Sequence, residues 1–165
     1  TADIDDLPLS KKYFVENVMD IPDHMFVVYR WGFITKTMIP ICWTLAKGTT
    51  WSEIFNIKNE NDIVKKLINW YPLNYRKGHE NWYTDQLKLK KFIEKFDKKY
   101  PNRVIYFNDQ YLHFNRIDRD EIESVIYNLE NKNVEYSDYH MPIPYNQYKE
   151  VIEKIYKLSV QNGFI

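Results

Sequence analysis

Apolar residues recur along this chain in two periods, and the switches between them mark its elements. Leu89, Phe92, Ile93 and Phe96 fall at i, i+3, i+4 and i+7 on a lysine-rich background, which predicts a helix beginning at Thr84. Ile122, Val125, Ile126 and Leu129 predict a second, with Asp118 and Glu121 as its capping box. Tyr148, Val151, Ile152, Ile155 and Leu158 predict a last helix ended by Gly163. Ser10 is placed to cap a helix through Val18, and Asn59 or Asn61 one that runs to Trp70 with Ile63, Leu67 and Trp70 inward. Trp51–Phe55 reads as a short helical piece after a turn at Lys47-Gly48.

Between these lie runs suited to strands. Met25–Arg30 and Arg103–Phe107 are rich in β-branched and aromatic residues, and Val134–His140 is extended. Met38–Leu45 contains Pro40, which confines it to an edge or an irregular stretch. Strands interleaved with helices give an α/β class with some antiparallel or irregular pairing. With no internal repeat and no linker, residues 1–165 are expected to form a single domain.

Composition narrows the partners. Twenty-three basic residues balance 23 acidic ones, so no global field draws in nucleic acid or an anionic surface. No apolar run approaches the about 18 residues of a membrane span. Cys42 is the only cysteine, so no internal disulfide is available, and its apolar run argues for inert packing. Aromatics reach 17%, which fits large core side chains as well as platforms for sugar rings.

Three short motifs can carry chemistry, and each also has a purely structural reading. Asp3-Ile4-Asp5, extended by Asp6, puts carboxylates at i and i+2, where they can converge on a hard divalent ion such as Mn²⁺ or Mg²⁺. The same residues also read as a solvated acidic segment. Thr84-Asp85-Gln86 opens a helix, where acidic residues suit the dipole and a carboxylate and an amide can also grip a ligand. His140, before Pro142 and Pro144, sits in a stiff turn suited to a metal ligand or to a structural hydrogen bond. A glycine-rich phosphate loop, a G-x-S-x-G elbow and a His-x-x-x-His pair are all missing from the sequence.

In this order, Asp3-x-Asp5, then Thr84-Asp85-Gln86, then His140, the motifs resemble the GT-A class of metal-dependent, nucleotide-sugar glycosyltransferases. The likeness is greatest to the glycogenin-like and galactosyltransferase-like branches. It implies the mixed-sheet carboxy-terminal part of a GT-A fold, with the strands that bind base and ribose preceding Thr1. On this reading the chain alone is expected to transfer sugar weakly or not at all. Its location is left open, as a soluble domain that is cytoplasmic or held at a membrane by segments outside it.

The resemblance also implies roles. Asp3, Asp5 and His140 would ligate Mn²⁺ or Mg²⁺, with Asp5 the firmer ligand and Asp3 shared with the ribose. Asp85 would contact the donor sugar or serve as base, and Gln86 would lie near the anomeric carbon. Lys47 and Gly48 would touch sugar, and the loop with His79 and Trp82 would bind the glycan or protein acceptor. Two other readings stand beside it: a small non-catalytic α/β interaction domain, and a metal-dependent phosphohydrolase using Asp3, Asp5, Asp138 and His140. An interaction domain predicts that Asp3, Asp5 and His140 lie far apart. A transferase needs them in one coordination sphere.

Overall fold

The computed structural model describes residues 5–70, 83–108, 111–112, 114–119 and 121–165. In chain order its elements are β1 (Asp6–Pro8), α1 (Lys11–Phe14), β2 (Phe26–Val28), β3 (Thr44–Ala46), α2 (Gly48–Phe55), α3 (Glu60–Trp70), α4 (Thr84–Lys99), β4 (Val104–Tyr106), β5 (Arg116–Ile117), α5 (Ile122–Glu130), β6 (Asp138–His140) and α6 (Tyr145–Gln161). The α/β class read from the sequence holds, with two three-stranded mixed sheets. The chain divides into two compact units, Pro22–Asn108 forming one and Ala2–Ile21 with Asp109–Ile165 the other.

In the Pro22–Asn108 unit the strand order is β3-β2-β4. Strand β2 pairs antiparallel with β3 and parallel with β4, in the register Phe26↔Ala46 and Phe26↔Val104. A central strand is covered on both faces, and Phe26, Val27 and Val28 are accordingly all buried. The core joins Phe26, Val28, Ile39 and Ile54 to Leu89, Ile93 and Phe96, the stripe on α4 that the helical period predicts. Strand β3 is an edge, and the stretch around Pro40 before it is irregular, as a proline requires. Lys47 is the N-cap of α2 and Gly48 its first residue, so the expected turn is a helix start. Arg103 ties the unit together from the flank, donating to the His24 carbonyl at 2.7 Å and to Glu53 Oε2 at 2.7 Å, with its guanidinium over the Phe96 and Tyr100 rings.

Helix α3 is oriented against its sequence pattern. Ile63 and Leu67 were expected inward, yet both are exposed, together with Val64 and Ile68. The helix is held instead by Trp70, whose ring meets Phe55 and Phe92 at centroid distances of 5.6 and 5.5 Å, and by Lys66, which lies over Phe92. A few aromatic contacts at one end thus decide its orientation over the apolar stripe.

In the second unit the strand order is β1-β6-β5. Strand β6 pairs antiparallel with β1, matching Asp6 with His140 and Leu7 with Tyr139. It pairs parallel with β5, matching Arg116 with Asp138 and Ile117 with Tyr139. Side chains alternate across a sheet, so this register puts Leu7, Tyr139 and Ile117 on one face and Asp6, His140, Asp138 and Arg116 on the other. The apolar face carries the core: Ile117 and Tyr139 pack with Val125 and Leu129 of α5 and Ile152 and Ile155 of α6. The opposite face carries the charged residues, with Pro8 beside Asp138.

Local chemistry sets the ends of these elements. Ser10 Oγ accepts from the Tyr13 amide at 3.0 Å, the cap expected of it, but the helix breaks at Val15 and continues to Val18 as a single 3₁₀ turn. The capping box expected from Asp118 is not made: the N-cap of α5 is Glu121, with no side-chain cap bond. Gly163, at φ +76°, ends α6 in the left-handed conformation that favours glycine. No helix among the described residues is long and apolar enough to cross a membrane.

Two substitutions separate the core from the surface stripe. Ile93→Ala, at a fully buried site, is expected to cost roughly 2–5 kcal/mol. Leu67→Gln, on the outward face of α3, is expected to change stability by less than about 0.5 kcal/mol. Urea denaturation of the two variants checks both, and a large loss in the second would show that this face is covered.

Candidate metal centre

The polar face of the β1-β6-β5 sheet gathers a dense set of charges. Asp6 on β1 lies opposite His140 on β6, Asp138 precedes His140 by two residues, and Arg116 on β5 lies opposite Asp138. The Arg116 guanidinium reaches across β6, bonding Asp6 Oδ1 through Nη2 and facing Asp138 Oδ2 through Nε at 3.0 Å. Ser137 Oγ donates to the other Asp138 oxygen at 2.8 Å. The side chains of Asp6 and Asp138 are sealed from solvent, 1% and 0% exposed.

Asp5 and Arg119 extend the cluster outward. Asp5 precedes β1 and its carbonyl accepts from the Met141 amide at 2.8 Å, which fixes the segment beside the end of β6. Its Oδ2 lies 3.4 Å from His140 Nε2. Arg119 Nη2 meets both groups, 2.5 Å from Asp5 Oδ2 and 2.7 Å from His140 Nε2. A guanidinium only donates, so Nε2 is the acceptor and the imidazole is neutral with its proton on Nδ1. Burial, then the positive charges of Arg116 and Arg119, hold the His140 pKa below 6.5, outweighing the opposite pull of Asp5 and Asp118.

Asp5, Asp6 and His140 each offer a ligand atom, all within 4.8 Å of one another. This donor set fits a divalent ion. Two carboxylates and one neutral imidazole suit Mn²⁺ well, and Mg²⁺ less because of the nitrogen. Asp6 Oδ2 is buried without a hydrogen-bond partner among the described residues, and a buried carboxylate oxygen left so is costly unless some cation or donor reaches it. The carboxylates of Asp5, Asp6 and Asp138 also outnumber the guanidinium groups of Arg116 and Arg119, so negative charge is left over.

Of the residues singled out from sequence, the structure brings Asp5 and His140 together across 135 positions of chain. Asp3, His79 and Trp82 lie outside the described residues. Asp85, Gln86, Lys47 and Gly48 belong to the Pro22–Asn108 unit. There Asp85 Oδ1 accepts from the Gln86 amide at 2.7 Å in the first turn of α4, and Lys47 pairs with Asp23 at 3.1 Å. Gly48 has open space where a Cβ would stand, so packing does not demand glycine there.

Asp6, Arg116 and Arg119 are the residues that motif reading underweights. Asp6 appears in sequence only as an extension of the Asp-x-Asp pattern, and Asp118-Arg119-Asp120 reads as a helix start. In the structure Asp118 and Arg119 precede α5 and the Arg119 side chain turns to Asp5 and His140. The one signal for Arg116 is its alternation with Ile117 in a short extended run, which marks a two-faced strand without naming its partner.

Two measurements probe this arrangement. Arg116→Met leaves two sealed carboxylates without their cation and is expected to cost roughly 3–5 kcal/mol in urea denaturation. Acid should also weaken the fold through His140. Its folded pKa is below the unfolded value, so the native state binds fewer protons; that contribution is intact above pH 6.5 and is lost as pH falls from there towards the folded pKa. The urea midpoint should therefore fall less on acidification in His140→Gln than in wild type, and equal slopes would refute the assignment.

Comparison of the chain with protein-family models, with curated protein sequences and with solved structures returned no match, so the reading of this centre rests on its residues and geometry.

Proposed function

We propose that this chain is part of a metal-dependent glycosyltransferase that moves a sugar from a nucleotide-diphosphate donor to a glycan or protein acceptor. The observation that carries the reading is the meeting of Asp5 and His140 at 3.4 Å, from opposite ends of the sequence, on paired strand ends. The resemblance to the GT-A class calls for Asp3, Asp5 and His140 in one coordination sphere, and Asp5 beside His140 is the part of it that lies among the described residues. A plain interaction domain has no need of it.

Asp5, Asp6 and His140 would hold the ion, Mn²⁺ in preference to Mg²⁺, and when bound it would offset the charge that develops on a leaving diphosphate. Asp6 takes the second carboxylate position beside Asp5. The chain's own contribution is rigidity and charge. The β1–β6 ladder fixes the spacing of Asp6 and His140, and the backbone bond from Met141 to Asp5 fixes the third donor. Arg116 locks Asp6 in place from the far edge of the sheet. Such pre-set geometry holds the three donors together before an ion arrives. The resemblance separately implies donor-sugar and anomeric-carbon roles for Asp85 and Gln86 and sugar contacts for Lys47 and Gly48, all within the Pro22–Asn108 unit.

A phosphohydrolase built on Asp138 is less favoured. That carboxylate is fully buried between Arg116 and Ser137, so it is engaged in the sheet and not turned to a substrate.

Calorimetric titration of Mn²⁺, alone and with UDP or GDP, tests the proposal on wild type, Asp5→Ala and His140→Ala. Binding strengthened by one nucleotide and reduced at least about tenfold in each variant is expected. Mn²⁺ binding that neither variant weakens, or no binding with any nucleotide, would overturn it.

A further inference from the structure

Arg119 stands where the ion of the proposed centre would bind. Its Nη2 contacts the Asp5 and His140 atoms that would be ligands, at 2.5 and 2.7 Å. The neutral imidazole has one lone pair on Nε2, and the Arg119 N–H bond occupies it. Ligation uses the same lone pair, so His140 can hold Arg119 or an ion but not both. At bonds of about 2.1 Å, the 3.4 Å separation of the two acceptors corresponds to a ligand–metal–ligand angle of about 108°, so an octahedral ion would draw them slightly closer together.

The two arginines of the cluster differ in how easily they can leave. Arg116 is 11% exposed, lies in a strand, and spans two sealed carboxylates. Arg119 is 38% exposed and lies in the turn between β5 and α5. One guanidinium is therefore built into the sheet, and the other is a side chain on a turn whose partners can be exchanged.

We propose that Arg119 is an internal cation that a divalent ion displaces, and that the freed guanidinium couples the ion to a diphosphate. This inference rests on the functional reading above. Without the ion, Arg119 neutralises Asp5 and keeps His140 in its ligating tautomer. With the ion bound, the displaced guanidinium stands beside it as a planar donor suited to phosphate oxygens. Coupling is reciprocal, so a nucleoside diphosphate that captures Arg119 tightens ion binding by the factor with which the ion tightens the nucleotide.

The test is Mn²⁺ titration of wild type and Arg119→Met, each with and without UDP or GDP. Removing the competitor is expected to tighten binding of Mn²⁺ alone by about tenfold and to shrink the enhancement that the nucleotide gives. Unchanged or weaker Mn²⁺ binding in Arg119→Met would overturn the displacement, while a nucleotide effect in wild type would leave the transferase reading intact. Tighter binding in the variant with no nucleotide effect in either protein would leave displacement standing and overturn both the coupling and the transferase reading. No ion binding by either protein would overturn both. A readout free of substitution is the Arg119 guanidinium ¹⁵N signal of wild type under titration with diamagnetic Zn²⁺. It should shift as the ion binds, and a signal unmoved at saturation would sink the displacement.

Discussion

The charged face of the β1-β6-β5 sheet depends on a single guanidinium. Arg116 sits on one edge strand, Asp6 on the other and Asp138 between them, so its two ion pairs cross the full width of the sheet. Bringing these groups out of water is costly, and the attraction between them roughly offsets that cost without much surplus. What the arrangement adds is specificity. A slip of one residue in β1 or β5 would turn Leu7 or Ile117 to the polar side and leave Asp6 or Arg116 in the apolar core, where neither has a partner. Hydrophobic burial beneath the sheet and charge pairing above it therefore select the same register.

That register is also what brings the candidate metal ligands together. His140 is two residues beyond Asp138 and directly across from Asp6, so fixing the Arg116 bridge fixes the imidazole beside a carboxylate. The second arginine then balances the outer half of the cluster. Two cations help explain why so many charges coexist in a small volume: Arg116 bridges Asp6 and Asp138, and Arg119 contacts Asp5 and His140.

The Pro22–Asn108 unit follows a different logic, with its stability in one aromatic and aliphatic core around β2 and α4. Trp51 meets Phe26 edge-on and stacks with Phe55, and Phe55 in turn contacts Trp70 and Phe92. The high aromatic content of the sequence is thus used at least in part as packing, the plainer of its two readings. The same chain of rings explains α3, since the anchoring of Trp70 at its end leaves Ile63, Val64, Leu67 and Ile68 facing outward.

Sequence by itself determined the local features. The apolar stripe of α4, the faces of α5 and α6, the Ser10 cap, the buried run of β2 and the end at Gly163 all follow from period, capping chemistry and backbone freedom, which act over a few residues. Asp5 and His140 were legible as candidates because an acidic pair and a histidine before prolines are local patterns. Tertiary structure alone decided what lies beside what. The pairing of β1 with β6 sets Asp6 opposite His140, 134 positions along the chain, and no local preference specifies which strand a strand will meet. Asp6, Arg116 and Arg119 acquire their roles from that pairing, and the outward face of α3 follows from distant aromatic contacts that outweigh its own pattern. Electrostatic and packing partners are set by proximity in space, and a short motif carries information only about its own turn or strand.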